Sequence, residues 1–300
     1  GTYAVLAESE AMPADHALTS TIDKAFAEKR SQFEHPANVL FIHTEGNREL
    51  AISVTPPWPL AQIQRDLLEV FCQRIAAAFD NLYMFGQLRK AQEATVVALA
   101  DLAEFRDSDT GGHVRRVQLL SEAIARRMQQ RAVYPDELTP QLLDMIGLAS
   151  ILHDVGKVAT PDAVLLKPGK HTDEERTQMQ LHASVGRTIL ERAANMVDGI
   201  SYLTYGAQIA GGHHEHFDGA GYPNGLKGRD IPVAARIVAV VDVFDALLHE
   251  RPYKEPWPYP QVREYIEQRS GSQFDPEVVT ALLDLIDNEP QLWHPERATA

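Results

Sequence analysis

Imidazole and carboxylate side chains are concentrated between Gly212 and Pro223, where the sequence reads GHHEHFDGAGYP. These are the side-chain groups that hold divalent metal ions in hydrolytic sites. Neighbouring side chains on a helix diverge by about 100°, so His213 and His214 are predicted to serve two adjacent ions rather than one. By itself, the run is also typical of a polar surface cluster. Its dense part comprises His213, His214, Glu215, His216 and Asp218.

Further candidate ligands lie elsewhere in the chain, and each is ambiguous when taken alone. Asp109 and His113 share one face if a helix begins early enough, although Thr110 between them is also a candidate N-cap. A lone histidine within a helix, such as His182, is more often a core residue than a ligand. Asp242 interrupts an apolar helix, where a carboxylate is costly unless it is paired or bound to metal. The complete set is Asp109, His113, His153, Asp154, His182, His213, His214 and Asp242.

The adjacent residues His153 and Asp154 are predicted to close an apolar helix, with Gly156 as its C-terminal break. Adjacent side chains can serve neighbouring ions, so this pair is the natural bridge of a binuclear site. The complete ligand set contains imidazole and carboxylate but no thiolate, which suits Fe, Mn, Ni or Zn. A site of this kind is suited to attack on phosphorus by a metal-bound hydroxide.

The elements that must position these residues are mainly helices. Beyond Arg106 the sequence predicts helix after helix, and therefore an all-α second domain. The long loops are marked by Pro161, by Pro168-Gly169 and by residues 218–232. The predicted helices span residues 113–131, 140–153, 173–195, 205–213, 233–249, 259–269 and 276–287.

The N-terminal part is predicted to be a small α+β unit. Apolar residues at helical spacing indicate a helix over residues 18–33. Two β-rich runs, Ala37–His43 and Glu49–Val54, flank a hairpin loop that contains Gly46.

A long helix is predicted over residues 60–105, where it would join the two parts. Its apolar residues recur in steps of three and four, as in a short coiled-coil seam, and the rhythm slips near Gly86. The helix could pack on its own domain, but its periodic stretch is longer than most globular helices need, which favours a parallel dimer. The seam residues are Leu68, Phe71, Ile75, Ala78, Leu82 and Phe85.

Composition excludes several classes of protein. The chain has 300 residues, 44% of them hydrophobic and 23% charged, as in soluble globular proteins with room for two domains. A net charge of −14 argues against long nucleic acid as a partner. No apolar run is long enough to span a membrane, and the N-terminus lacks a signal-peptide pattern. The single cysteine, Cys72, suits a reducing cytoplasm, and the Gly1 start indicates a fragment of a longer protein.

Several of these residues fall in motifs that resemble the HD-GYP phosphodiesterases, an all-α branch of the HD superfamily. HDVGK begins at His153, HHEHFDGAGYP at His213 and DVFDAL at Asp242. RDSDTGGHVRRV, starting at Arg106, and RPYK, starting at Arg251, belong to the same pattern. The resemblance covers about residues 98–287, and five motifs in the right order make it specific.

The resemblance implies hydrolysis of the bacterial messenger cyclic di-GMP to pGpG, to GMP or to both, at two divalent ions bridged by Asp154. Family members with three metals carry a Glu where this chain has Asp109, one methylene shorter, so a third ion is a further expectation. His216 departs from the family pattern, which more usually has Arg there, and we expect it to affect only the loop surface. The implied ligands are His113, His153, Asp154, His182, His213, His214 and Asp242.

The resemblance also implies residues that contact the substrate. Lys157 matches a lysine that contacts the scissile phosphate, where a cation would stabilise developing charge. Arg251 and Lys254 match residues that hold the other phosphate, and the planar guanidinium of Arg suits that task. Tyr222, on the loop that follows the histidine cluster, would line the pocket.

Residues 67–83 resemble part of a small GAF-like domain of unknown function, which lies between a receiver and an HD-GYP domain in certain response regulators. The expected fold class is mainly α, with a C-terminal all-α HD-GYP helical bundle joined by a long helix to a small α+β GAF-like domain. The first domain would comprise residues 1–59 with helix 60–95, and the second residues 96–300. An upstream receiver domain and diguanylate cyclases with GGDEF domains are candidate partners. The simplest interpretation of the N-terminal part is a dimerisation and relay module without a ligand.

Two other functions remain compatible with the sequence. The chain could bind the dinucleotide and signal through the long helix without hydrolysing it. It could also hydrolyse another cyclic dinucleotide, such as cyclic GMP-AMP, which the motifs do not distinguish from cyclic di-GMP.

Overall fold

The computed structural model describes residues 16–46, 48–105, 112–249 and 255–289. The predicted positions Asp109, Thr110, Arg251 and Lys254 lie outside these ranges. The fold is mainly helical, with 64% helix and 7% strand, which confirms the expected fold class. Two compact units divide the chain between Gln92 and Glu93. Within the described ranges, no helix combines the length and the apolar character needed to cross a bilayer.

The N-terminal unit is a three-stranded antiparallel sheet with helices on both faces. Helix α1 spans His16–Glu28, and strands β1 (Gln32–Glu34), β2 (Ala37–His43) and β3 (Glu49–Val54) pair in that order. Both β2 and β3 have the predicted bounds. The central strand β2 is apolar on both sides, so it buries one face under α1 and the other under the following helix.

The helix predicted over residues 18–33 is wrong at its C-terminal end. Lys29 adopts a positive φ of 54°, which takes the chain out of the helical region directly after Glu28. Phe33 then lies in β1 and packs with Leu40 and Ile42 of β2. An apolar residue at helical spacing therefore belongs to the sheet instead.

Helix α2 spans Gln62–Phe105 without interruption, and Gly86 lies inside it. The single seam predicted for this helix is wrong, because its apolar residues serve two surfaces. Leu68 and Ile75 pack with Cys72 against the sheet. Other members of the seam stay exposed, with Leu82 68% and Phe85 70% accessible.

The second unit contains the remaining helices. They are α3 (His113–Gln130), α4 (Pro140–Ser150), α5 (Asp162–Leu165), α6 (Asp173–Ala194), α7 (Tyr202–Ala210), α8 (Val233–Leu248), α9 (Tyr259–Gln268) and α10 (Pro276–Asn288), with short 3-10 turns at Val155–Ala159 and Gly228–Asp230.

Helix α8 forms the centre of this unit, because it is apolar nearly all round and buried along most of its length. Its residues Ile237, Val241 and Phe244 belong to the main core, which α3, α4, α7, α9 and α10 complete. A smaller core contains Val96 and Ala100 of α2 with Ile151, Leu152 and Ala210. Two candidate ligands, His153 and His213, therefore follow closely on residues of this smaller core.

Two predicted helix ends are wrong, and both lie beside candidate ligands. Helix α4 ends at Ser150 rather than at His153, because the chain changes there to i→i+3 hydrogen bonds such as that from His153 N to Ser150 O, 3.2 Å long. Helix α7 begins at Tyr202, after a capping box at Ser201, and ends at Ala210 rather than at His213. The His-Asp and His-His pairs therefore lie in turns.

Candidate metal centre

The structure brings seven of the eight predicted ligands into two clusters. In each cluster the candidate ligand atoms lie within 4.8 Å of one another. The eighth residue, Asp109, lies outside the described ranges. The first cluster contains Asp154, His182, His213 and His214, and the second contains His113, His153 and Asp242.

Five separate parts of the helical unit supply these side chains. His113 opens α3, whereas His153 and Asp154 lie in the turn after α4. His182 lies within α6, and Asp242 lies within α8. The pair His213 and His214 follows the end of α7. The two clusters exist only when all of these helices are packed.

Asp154 lies between the clusters and directs one oxygen towards each. Its Oδ1 is 3.3 Å from His182 Nε2 and 3.5 Å from His213 Nε2. Its Oδ2 is 3.4 Å from His153 Nε2 in the other cluster. One carboxylate therefore has the placement that a bridge between two ions requires.

Three of the histidine rings are oriented by backbone carbonyl groups. The Nδ1 atoms of His153, His182 and His213 lie 2.9 Å from Ser150 O, 2.7 Å from Met179 O and 3.1 Å from Ile209 O. A carbonyl can only accept, so each Nδ1 carries the proton and donates it. In the neutral ring, the Nε2 lone pair then points into the cluster, as in a metal-ligating histidine.

The polar atoms that face the first cluster fit a divalent ion. Asp154 Oδ1, His182 Nε2 and His213 Nε2 are buried and make no hydrogen bond within the described part of the chain. A buried acceptor left in this state costs free energy, which coordination to a cation would remove. The donor set is nitrogen and oxygen without sulfur, which suits a transition metal.

Electrostatics keep these groups in the protonation state that metal binding needs. Burial lowers the pKa of both His182 and His214, the latter well below its usual range, and neighbouring imidazoles act in the same direction. Burial opposes ionisation of Asp154, but Lys157 and His153 outweigh it and hold the pKa of this carboxyl well below its usual value. The imidazoles of His182 and His214 are therefore neutral beside an ionised carboxylate.

The prediction that His213 and His214 serve two ions is wrong in this arrangement. It assumed a continuing helix, but α7 ends at Ala210 and the turn brings the rings together with centroids 3.9 Å apart. Both rings consequently belong to the first cluster.

Lys157 lies beside the Asp154 carboxylate, and Tyr222 lies at the first cluster. The Nζ atom of Lys157 is 2.7 Å from Asp154 Oδ2. The ring of Tyr222 stacks on His214 with centroids 4.7 Å apart and an interplanar angle of 28°. Burial raises the pKa of the Tyr222 hydroxyl, so this group stays protonated beside the cluster.

Gly156 has a different role from the predicted one. Helix α4 has already ended before it, and a Cβ at this position would lie 1.9 Å from His182 O and 2.6 Å from Gly186 N. The absence of a side chain lets the 3-10 turn that follows Asp154 lie directly against α6. This close approach brings Asp154 within reach of His182.

Sequence reasoning missed Asp245, a buried carboxylate beside the second cluster. It is 2% exposed and lies 2.7 Å from His113 Nδ1. It also accepts hydrogen bonds from Arg116 Nε at 2.5 Å and Nη2 at 2.9 Å. Its position in an apolar helix was the available signal. A carboxylate there is costly unless it is paired or bound to metal, and this argument applies to Asp245 as well as to Asp242, one turn earlier.

Glu215, which is also outside the predicted ligand set, is 2% exposed. Its carboxylate accepts hydrogen bonds from the backbone amides of Asn224 and Leu226. Asp218, by contrast, is exposed and accepts a local hydrogen bond from Ala220 N. The histidine-rich run is therefore buried or half-buried up to Phe217 and reaches the surface at Asp218.

Comparison with known proteins identifies relatives of both parts of the chain. Residues 1–88 match a domain of unknown function, DUF3369, so the GAF-like character of this part stays a prediction. A probable cyclic di-GMP phosphodiesterase of Vibrio cholerae is 47% identical over 199 residues, which are 66% of this chain and 45% of the relative. A 3'3'-cGAMP-specific phosphodiesterase 2 of the same organism is 40% identical over 248 residues, 83% of this chain and 45% of the relative.

Among solved structures, a crystal structure of a cyclic GMP-AMP specific phosphodiesterase of V. cholerae aligns with a TM-score of 0.46 and 22% identity, over 66% of this chain and 50% of that chain. The chain spans about half the length of the curated relatives it matches. The longest match to a family is that of residues 97–278 to the model described as HD domain. This region contains both clusters, and the chain belongs to the HD domain family.

Proposed function

We propose that this chain hydrolyses a phosphodiester bond of cyclic di-GMP and releases pGpG, GMP or both. The observation that carries the proposal is the carboxylate of Asp154, with one oxygen towards each of two clusters able to hold metal. The similarity to proteins named cyclic di-GMP phosphodiesterases supports the choice of substrate. The motifs at His153, His213 and Asp242 support the HD-GYP subtype.

The proposed cofactors are two divalent transition metal ions, with Fe as the first candidate and Mn, Ni or Zn as the alternatives. A third ion would bind if Asp109 contributes its carboxylate. One ion would be held by His182, His213 and His214. The other would be held by His113, His153 and Asp242, and Asp154 would contact both ions. Bound divalent ions supply an activated water and neutralise charge on the phosphate.

The remaining residues of the site would act on the substrate itself. Lys157 places a positive charge beside the Asp154 carboxylate, where it would stabilise the charge that develops on the scissile phosphate. Tyr222 offers a ring face and a protonated hydroxyl to the pocket. Arg251 and Lys254, outside the described ranges, would hold the second phosphate.

The direct test is product analysis with protein loaded anaerobically with Fe(II) or with Mn(II). Cyclic di-GMP should be converted to pGpG or GMP, and His153→Ala and Asp154→Ala should lose both bound metal and turnover. His43→Ala is the matched control, since His43 is exposed and lies in the N-terminal unit. Absence of turnover with every metal, in both redox states of iron, would refute the proposal.

A second candidate substrate is 3'3'-cGAMP, because relatives named as specific for it match this chain at 33–40% identity. Both dinucleotides carry the same phosphodiester ring, so the metal clusters do not select between them. A competition assay at limiting enzyme would decide. Tight binding of either dinucleotide without any product would instead favour a signalling module that does not hydrolyse its ligand.

We also propose that the chain forms a parallel homodimer through α2, with the GAF-like domain of residues 1–59 and helix 60–95 preceding the HD-GYP domain of residues 96–300. Exposed apolar side chains on α2 support this proposal, because a helix that leaves many large apolar side chains uncovered offers a surface for a second copy. In the N-terminal unit these include Leu67, Phe71, Leu82, Phe85 and Leu88.

A further inference from the structure

Glu215 is buried between two candidate ligands and the loop that follows them, but it belongs to neither metal cluster. Each of its oxygens accepts one backbone amide, Oε1 from Asn224 at 2.7 Å and Oε2 from Leu226 at 3.0 Å. A buried carboxylate needs such donors, because desolvation penalises its charge. The side chain therefore joins the start of the loop to a point about ten residues later.

The segment enclosed by this connection carries Tyr222. The amide of Tyr222 donates to His214 O at 3.1 Å, and its ring stacks on the His214 ring. Gly221 permits the approach, since a Cβ there would lie 2.2 Å from His216 N and 2.5 Å from His214 O. The loop thus folds back on the residues that precede it, and Glu215 closes the fold two residues beyond Tyr222.

The base of the loop is held separately. Phe217 and Asp218 donate their amides to Gln273 O and Ser272 O at 3.1 and 2.8 Å, and Gly228 N donates to Phe217 O at 2.9 Å. These backbone hydrogen bonds do not involve Glu215. Loss of the Glu215 carboxylate should therefore loosen the part of the loop around Tyr222 while its base stays in place.

We propose that Glu215 is a positioning residue for substrate binding: it holds the loop so that Tyr222 lies over His214 and covers the first metal cluster. It acts through Tyr222 and not as a metal ligand. The inference rests on the proposed function for its consequence on substrate affinity, whereas its consequence for the loop does not depend on which substrate is bound.

The test compares Glu215→Gln with Glu264→Gln in the full chain. Gln has the same shape, but its NH2 group must face one of the two amide donors, so one hydrogen bond is lost. Glu264 is exposed on α9 and is the matched control. Hydrogen exchange followed by mass spectrometry should be faster in Glu215→Gln for peptides that cover residues 219–226 and unchanged for α8. Unchanged exchange in the loop would overturn the inference.

Metal content and kinetics distinguish a positioning role of Glu215 from a role as metal ligand and from a merely structural role. Glu215→Gln should keep its metal, raise KM for cyclic di-GMP about tenfold with little change in kcat, and hydrolyse bis(p-nitrophenyl) phosphate like the parent. In a Tyr222→Ala background the same change should add little to KM, because both act through one ring. Loss of metal would make Glu215 a ligand, and an equal loss of activity on both substrates would make its role merely structural; either result overturns the inference.

A parent protein that turns over neither cyclic dinucleotide would refute the proposed function. Loop exchange and metal content of Glu215→Gln would still decide whether Glu215 holds the loop. The two failures are therefore distinguishable.

Discussion

The ring of His113 lies 2.7 Å from the buried carboxylate of Asp245, measured from Nδ1 to Oδ2. The same carboxylate is held by two hydrogen bonds from Arg116, so its position is fixed from two sides. His113 is therefore presented to the second cluster through Nε2, which is 3.7 Å from Asp242 Oδ1. A carboxylate behind a ligating histidine both orients the ring and increases its basicity.

We expect Asp245→Asn to weaken metal binding about 10- to 100-fold, because the ring loses a charged acceptor. Competition with a chromophoric chelator would measure the change. Asp287→Asn is the matched control, since Asp287 is exposed and pairs with Arg263 on the outer surface. Unchanged metal affinity in Asp245→Asn would show that Asp245 only stabilises the fold.

Removal of the Lys157 charge should affect catalysis more than metal binding. Lys157→Met keeps most of the side-chain volume, and we expect kcat to fall about 100-fold while metal content stays close to that of the parent. Steady-state kinetics and elemental analysis on the same preparation would measure both. Lys170→Met, at an exposed position, should match the parent. A variant with normal kcat would remove Lys157 from the proposed catalytic residues.

A side chain at position 156 should separate the Asp154 turn from α6. A Cβ there would overlap the His182 carbonyl, so Gly156→Ala should lower the free energy of unfolding by about 3 kcal/mol and reduce metal content. Gly86→Ala is the opposite case, since no atom lies within 4 Å of the Cβ position at residue 86 of α2. Alanine has the higher helix propensity, so this variant should raise the free energy of unfolding by about 1 kcal/mol. Denaturant unfolding of both variants would measure these effects, and equal stability of the two would contradict the packing described for Gly156.

The proposed dimer predicts a change of mass when a charge enters the exposed face of α2. We expect Phe85→Glu to convert a dimer into a monomer, because a buried, unpaired carboxylate in a helix seam is costly. Sedimentation equilibrium would measure the mass. Met196→Glu replaces another exposed apolar side chain, in the second unit, and should leave the dimer intact. A monomeric parent would refute the proposal.

The sequence was sufficient for those parts of the fold that depend on local pattern. Strands β2 and β3 were predicted to the residue because two β-rich runs flank a short loop that contains Gly46. The end of α1 was missed because it depends on a positive φ at Lys29 and on the packing of Phe33 in the sheet, neither of which periodicity records.

The same limit applies to the candidate site. Residue types identified the candidate ligands, but the grouping of His213 with His214 depended on where α7 ends. Burial reasoning selected Asp242, whereas the more completely buried carboxylate is Asp245, whose partners His113 and Arg116 are more than a hundred positions away in sequence. Contacts of that range follow from how five helices pack together, which no local pattern contains.

The carbonyl groups behind His153, His182 and His213 have a thermodynamic consequence. Each ring is already rotated and in one tautomer before an ion arrives, so its loss of conformational entropy is incurred when the chain folds. Ion uptake at such preorganised rings is a binding event without coupled folding, unlike that of a zinc finger peptide, which orders only around its metal.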